Sequence, residues 1–279
     1  MKKFENIVIV TDLDGTFLGS SDAPIVQRNL DAVKYFTANG GRFTLATGRA
    51  PSYIDAVFPD AAKYVNAPAV VCNGAGLYDY SLGELIEIYP LDNGAVIDMA
   101  EFVYENFSGA GVRANTRDYE ILCTPRDVQN EYIRADLEAY ANIPYKCLPL
   151  DQWREQVIHK FAVRASAQDV AQMLPMLRQR FSYAIEIAAS SPRIIDMQAA
   201  GRNKAIMISE GLRRYVGENA TIYACGDYFN DLQMLGAADV AVCPSNAHEE
   251  VKRMCDLCLC SNVEGLIADL VEHIEKGIG

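Results

Sequence analysis

Histidine and tryptophan are scarce: His159, His248 and His273 are dispersed along 279 residues, and there is one tryptophan. That dispersal leaves no signature of a histidine relay or a histidine-held metal. Dense lysine and arginine runs are missing too. Acidic residues outnumber basic ones, 37 against 25, for a net charge of −12. Nucleic-acid binding therefore has no support, since neutralising a phosphate backbone takes clustered cations. No apolar run reaches bilayer-spanning length, and Met1-Lys2-Lys3-Phe4-Glu5 carries no long apolar segment ahead of the first predicted strand. No membrane partner and a cytoplasmic location are expected. Internal repeats and low-complexity stretches are absent as well.

Cysteine is more plentiful, with eight scattered residues, a usage that fits a reducing compartment better than a disulfide framework. Cys255, Cys258 and Cys260 are closely spaced, but no second pair accompanies them. Their alternation with Leu257 and Leu259 predicts a short strand in which the thiols pack as small hydrophobic groups.

The segment Ile7-Val8-Ile9-Val10-Thr11-Asp12-Leu13-Asp14-Gly15-Thr16 carries the most information. An unbroken Val/Ile run suits a strand buried on both faces of a parallel sheet, where functional residues collect at carboxyl ends. Strand side chains alternate, so Asp12 and Asp14 can address one small volume. Two close anions need a counter-charge, and Mg²⁺ suits one or two carboxylates together with phosphate oxygens. An Asp-Gly turn alone would explain Asp14-Gly15 and leave Asp12 unexplained. Two further strands end in the same manner. Arg42-Phe43-Thr44-Leu45-Ala46-Thr47-Gly48-Arg49 delivers a hydroxyl before a glycine, and Thr221–Cys225 runs into Gly226-Asp227-Tyr228-Phe229-Asn230-Asp231. Hydroxyls and turn N–H groups cradle phosphate, while Asp227 and Asp231 complete a metal site with Asp12.

The order and wording of these motifs resemble the haloacid dehalogenase superfamily, and within it the Cof-type sugar-phosphate phosphatases. The likeness covers nearly the whole chain and extends to Val71-Cys72-Asn73-Gly74-Ala75-Gly76, Lys204 and Ser261-Asn262-Val263-Glu264-Gly265. The resemblance implies Asp12 as nucleophile, Asp14 as general acid and base, and Thr47, Gly48, Lys204, Asn230 and Gly15 around the phosphate. It implies a Mg²⁺ ion held by Asp12, the Asp14 backbone carbonyl, Asp227 and, through water, Asp231. Arg49 and Asn73 are candidate substrate contacts. The implied reaction is Mg²⁺-dependent hydrolysis of a small phosphorylated metabolite, a sugar phosphate by expectation, through an aspartyl-phosphate. A sugar phosphomutase and a non-enzymatic phosphate-sensing module are the alternatives. The sequence leaves oligomeric state open. Tyr228, Ala205 and Cys243-Pro244-Ser245-Asn246-Ala247 depart from the family's usual residues and bear on substrate fit.

The expected fold is α/β, a Rossmann-like doubly wound parallel sheet with an inserted α/β cap. The first helix is capped by Asp22 and opened by Pro24, and Leu77–Tyr89 reads as a hairpin around Ser81-Leu82-Gly83. Residues 1–90 form the first part of the core and 91–189 the cap. Cap helices are expected at Val96–Phe107 and Val170–Phe181, and cap strands at Lys160–Ala165 and Tyr183–Ala188. The polar stretch Arg113–Tyr119 is expected as a solvated loop. Ser190-Ser191-Pro192 is read as the linker returning the chain to the core over 190–279, beginning with Ile194–Met197.

Overall fold

A computed structural model describes residues 2–19, 25–116 and 121–278. The chain divides into two compact units, Met1–Glu87 with Asn203–Gly279, and Ile88–Arg202.

In the first unit Ile7–Thr11 is an interior strand of a five-stranded parallel sheet, next to the middle strand Thr221–Cys225. The order is Leu257–Leu259, Val240–Pro244, Thr221–Cys225, Ile7–Thr11, Arg42–Leu45. Val8, Ile9 and Val10 are wholly buried, as an unbroken apolar strand between two helical layers demands. The chain leaves Ile7–Thr11 towards Arg42–Leu45 and later returns on its other side at Thr221–Cys225. The strand order therefore reverses at this point, and crevices for ligands open at the carboxyl ends of such strands. Helix Gln27–Ala38 packs beside helix Leu266–Ile278. Buried Asn29 joins them, its Oδ1 accepting from the Ile267 and Ala268 N–H groups at 3.0 and 3.1 Å. Phe17 touches both Phe43 and Phe58 at about 5.5 Å between centroids, filling the layer under the first loop. The expected Asp22 cap and Pro24 lie outside the described residues. Gly76–Asp79 and Glu84–Ile88 form the expected hairpin, closed by the Gly83 N–H donating to the Asp79 carbonyl at 2.8 Å.

The second unit is a six-stranded sheet with helices Asn93–Asn106 and Ala167–Phe181 packed on it. Its order is Ile185–Ser191, Ile194–Ala199, Ile158–Arg164, Gly111–Thr116, Ile121–Cys123, Tyr145–Cys147, all antiparallel except the last pair. Asp92 and Ser166 cap the two helices by accepting from Ala95 and Asp169 N–H groups. Val96, Met99, Val103, Met173 and Leu177 meet Val112, Phe161, Val163, Ile195 and Met197 in one apolar cluster around Trp153.

Two expectations about this region are corrected. Ser190 and Ser191 end the strand Ile185–Ser191, Pro192 opens the hairpin turn after it, and Ile194–Ala199 belongs to the cap sheet. Paired there with Ile158–Arg164, it sends Ile195 and Met197 into the cap cluster, and Asp196 pairs with Lys160 at 3.0 Å. The chain re-enters the first unit only at Asn203. Arg113–Thr116 is strand, not solvated loop, with Arg113, Asn115 and Thr116 buried. Arg113 is held by Asp136, which also takes Arg164. An ion pair thus made the polar residues compatible with burial. Residues 117–119 of that stretch lie outside the described residues. Leu257–Leu259 is the expected strand, but Cys258 is exposed rather than packed.

Candidate active site

The Thr11↔Cys225 pairing sets the ends of two central strands level. The Asp12 N–H donates to the Cys225 carbonyl at 2.8 Å, carrying the ladder one residue further, and the Asp12 side chain is buried. Beyond it the chain turns sharply. Gly15 has φ +82°, and a Cβ there would lie 2.5 Å from Asp227 Oδ2, so both the turn and the approach of the carboxylate require glycine. Thr16 Oγ1 donates to Asp227 Oδ1 at 3.0 Å, tying the first loop to the fourth motif.

Lys204 is the centre of the cluster. Its ammonium donates to Asp12 Oδ1 at 2.5 Å and to Asp231 Oδ1 at 2.7 Å, with all three side chains buried. It stands at the start of a helical run from 204 to 216, where Asn203 Oδ1 accepts from the Ile206 N–H. Gly74, at φ +100°, lets the third-strand turn lie against that start: a Cβ would be 2.4 Å from the Asn203 carbonyl. Asp231 Oδ2 accepts from the Asp227 and Tyr228 N–H groups, which fixes the loop between the two carboxylates. Asn230 is half-buried in the same short turn, Phe229–Asp231.

Charge is the governing property here. Burial holds Asp12 well above the ordinary carboxylate range; Lys204 opposes the shift, and Asp231, Asp227 and Asp14 add to it. Burial and then Asp231 push Asp227 up to about 6. Burial disfavours the Lys204 ammonium, yet Asp12 and Asp231 outweigh that and its pKa is raised. Three carboxylates against one ammonium leave two negative charges uncompensated when all are ionised. One oxygen from each of Asp12, Asp227 and Asp231 lies within 4.8 Å of the others, and they form the single such metal-competent group among the described residues. Oxygen donors, excess negative charge and this spacing fit a hard divalent cation.

Asp14 faces a different partner. Arg49 grips it with two parallel bonds of 2.7 Å, from Nε to Oδ2 and from Nη2 to Oδ1, and the Asp14 side chain is about half exposed. Thr47 is buried and accepts from the Arg49 N–H through its hydroxyl. The Asn73 N–H donates to the Thr47 carbonyl at 2.9 Å, and the Asn73 amide lies against Gly48, where a Cβ would stand 3.1 Å away. Asn73 is itself at φ 56°, so it braces the second motif.

Sequence reasoning assigned no site role to Thr16, Asn203, Asn246 or Asn262. Asn246 Nδ2 donates to the Gly15 carbonyl, and its Oδ1 accepts from the Asn262 N–H, while Asn262 Nδ2 donates to the Leu18 and Gly19 carbonyls. These amides hold the first loop from 230 residues away, and no local pattern announces such a contact.

The model of the haloacid dehalogenase-like hydrolases matches residues 9–271. The chain belongs to that family, in its Cof-type phosphatase branch. It is 24% identical to the pyridoxal phosphate phosphatase YbhA of Escherichia coli, over 95% of this chain and 97% of that protein. To the 5-amino-6-(5-phospho-D-ribitylamino)uracil phosphatase YwtE of Bacillus subtilis it is 22% identical, over 96% and 98%. A subclass IIB sugar phosphatase of known structure superposes with a TM-score of 0.81 at 21% identity, covering 98% of this chain and all of that one.

Proposed function

We propose that the protein is a Mg²⁺-dependent phosphatase that hydrolyses the phosphomonoester of a small phosphorylated metabolite through an aspartyl-phosphate on Asp12. The observation that carries this reading is the buried Asp12–Lys204–Asp231 contact, with Asp227 alongside, at the carboxyl ends of the adjacent strands Ile7–Thr11 and Thr221–Cys225.

Asp12 attacks phosphorus in line, and the bond to the leaving oxygen breaks as the Asp12–phosphorus bond forms. Its burial keeps it poorly solvated, and the Lys204 ammonium, 2.5 Å away, opposes the resulting rise in its pKa and aims it. Asp14, one residue beyond the strand's turn, donates a proton to the leaving alkoxide and later, as carboxylate, takes one from the attacking water. Arg49 occupies both Asp14 carboxylate oxygens at 2.7 Å, so one of them must come free for either proton transfer. Thr47, Gly48, Asn230 and the N–H groups near Gly15 receive the phosphoryl oxygens. Asp12, the Asp14 carbonyl and Asp227 would hold Mg²⁺ directly, with Asp231 behind them through water; when bound it neutralises charge on phosphate and nucleophile.

The test is phosphate release from sugar phosphates, phosphorylated cofactors and nucleotides, with Mg²⁺ and with chelator. Release that needs both the metal and Asp12 supports the reading, and metal-independent release sinks it. Thermal melting gives a second readout. Mg²⁺ at a hundred times its Kd is expected to add ~2.7 kcal/mol, a rise of several degrees in Tm.

The same cluster predicts a pH effect. With Asp227 raised from 3.8 to about 6, the metal-free folded state binds a proton more tightly than the unfolded one. Stability from this group is therefore full below pH 4 and falls as pH rises through 6, by up to ~3 kcal/mol. In chelator, Asp227→Asn is expected to gain stability over wild type on going from pH 4 to pH 7. A difference that stays flat in denaturant titrations at both pH values would contradict it.

A further inference from the structure

Three rings stand together in the unit that holds the carboxylates. Tyr228 and Phe229, which follow Asp227 directly, pack edge to face with centroids 4.9 Å apart. Phe229 lies 4.4 Å from the His248 ring, and Tyr228 lies 6.3 Å from it. Phe229 is 37% exposed, and His248 is also exposed. Single exposed apolar residues are ordinary on any surface. This group differs in being fixed to the site. Asp231 Oδ2 binds the N–H groups of Asp227 and Tyr228, and the His248 N–H donates to the Asp227 carbonyl at 3.0 Å. His248 Nδ1 accepts from the Glu250 N–H, which orients the imidazole and leaves the proton on Nε2 in the neutral ring. Two chain steps separate the Phe229 and Asp227 Cα atoms, so they are at most ~7.6 Å apart.

We propose that Tyr228, Phe229 and His248 form a stacking platform that selects, as substrate, a planar heteroaromatic compound carrying its phosphomonoester on a short arm. This rests on the phosphatase reading above and names the substrate class for that site. With the Phe229 and Asp227 Cα atoms at most ~7.6 Å apart, a ring on a short arm from a phosphate at the carboxylates is within reach of Phe229. Phe229 then offers a face or edge, His248 Nε2–H and the Tyr228 hydroxyl offer polar contacts to ring substituents, and the exposed apolar area is covered. A hexose rim of hydroxyls recovers little of this, because it has no π-face. The bulky Tyr228 that the sequence shows at this place thereby acquires a role.

The experiment measures kcat/KM for pyridoxal 5′-phosphate and flavin mononucleotide against glucose 6-phosphate and glycerol 3-phosphate, all with Mg²⁺. Wild type is expected to favour the ring compounds. Phe229→Ala is expected to lower the ratio of ring to aliphatic kcat/KM about tenfold, mostly through KM, with Phe229→Tyr restoring it. Phe229→Leu, which keeps apolar bulk without the π-face, is expected to behave as Phe229→Ala does and serves if that variant folds poorly. An unchanged ratio in Phe229→Ala and Phe229→Leu, or a wild-type preference for the aliphatic pair, overturns the platform while leaving the phosphatase intact. Absence of release from every compound overturns the phosphatase reading and the platform with it.

Discussion

Asp12→Asn is expected to abolish turnover, lowering kcat by at least ~10⁴-fold, while the protein stays folded. The amide has no lone-pair anion to offer phosphorus, and the two-step route closes with it. The folding consequence runs the other way. Asp12 is buried, its pKa is held well above the usual range by burial, and Asp231, Asp227 and Asp14 add to that strain. Neutralising one of three crowded carboxylates leaves Lys204 paired with Asp231 at 2.7 Å and removes a like-charge repulsion. Metal-free Asp12→Asn is therefore expected to melt no lower than wild type, and to gain less from Mg²⁺ because a carboxylate ligand is gone. Steady-state phosphate release and thermal melting, with and without chelator, read the two effects separately. A phosphoryl group found by mass spectrometry on the Asp12 peptide of wild type after rapid acid quench is the positive counterpart. Near-normal rates in the variant would remove Asp12 from the chemistry.

The separation of chemistry from stability explains which parts of the protein were legible in its sequence. Asp12, Asp227 and Asp231 announced themselves because each follows an apolar run that only a buried parallel strand explains, and the structure brings these three to one point. Lys204 is different. Nothing local marks it as a partner of Asp12, 192 residues away, and its place came from resemblance; the geometry then supplied the contact. Ile194–Ala199 was misassigned because its alternation is equally good for either sheet, and pairing with Ile158–Arg164 is a property of tertiary register. Arg113 and Asn115 were misread for a related reason. Polarity predicted solvent, whereas Asp136 offered a buried partner from another element. Thr16 and Asn262 brace the loop after Ile7–Thr11 through hydrogen bonds to distant carboxylate or main-chain atoms, and contacts of that kind leave no periodicity to read.

Lys204→Met is expected to combine a loss of about 10²–10³-fold in kcat with a stability penalty that grows with pH. The first part follows, under the proposed mechanism, from removing a preorganised positive charge 2.5 Å from Asp12. The second follows from what remains. Asp12 and Asp231, nearly inaccessible to water, would face each other and Asp227 with no cation among them. Breaking a buried pair by deleting one partner costs ~3–5 kcal/mol at neutral pH without metal. Asp12 and Asp227, already raised, respond by holding protons more tightly, so their folded pKa values rise further above the unfolded value near 4. The sign is then fixed: such groups support folding below pH 4, and that support is lost as pH rises through the folded values. Urea titrations in chelator are expected to show a small wild-type-to-variant gap at pH 5 and a gap of several kcal/mol at pH 8. Adding Asp231→Asn to Lys204→Met is expected to recover part of the stability at pH 8, since it deletes one stranded charge, yet none of the activity. A gap that stays constant between pH 5 and pH 8 would mean that Lys204 contributes by packing its aliphatic stem rather than by charge, and the electrostatic account of the site would have to give way.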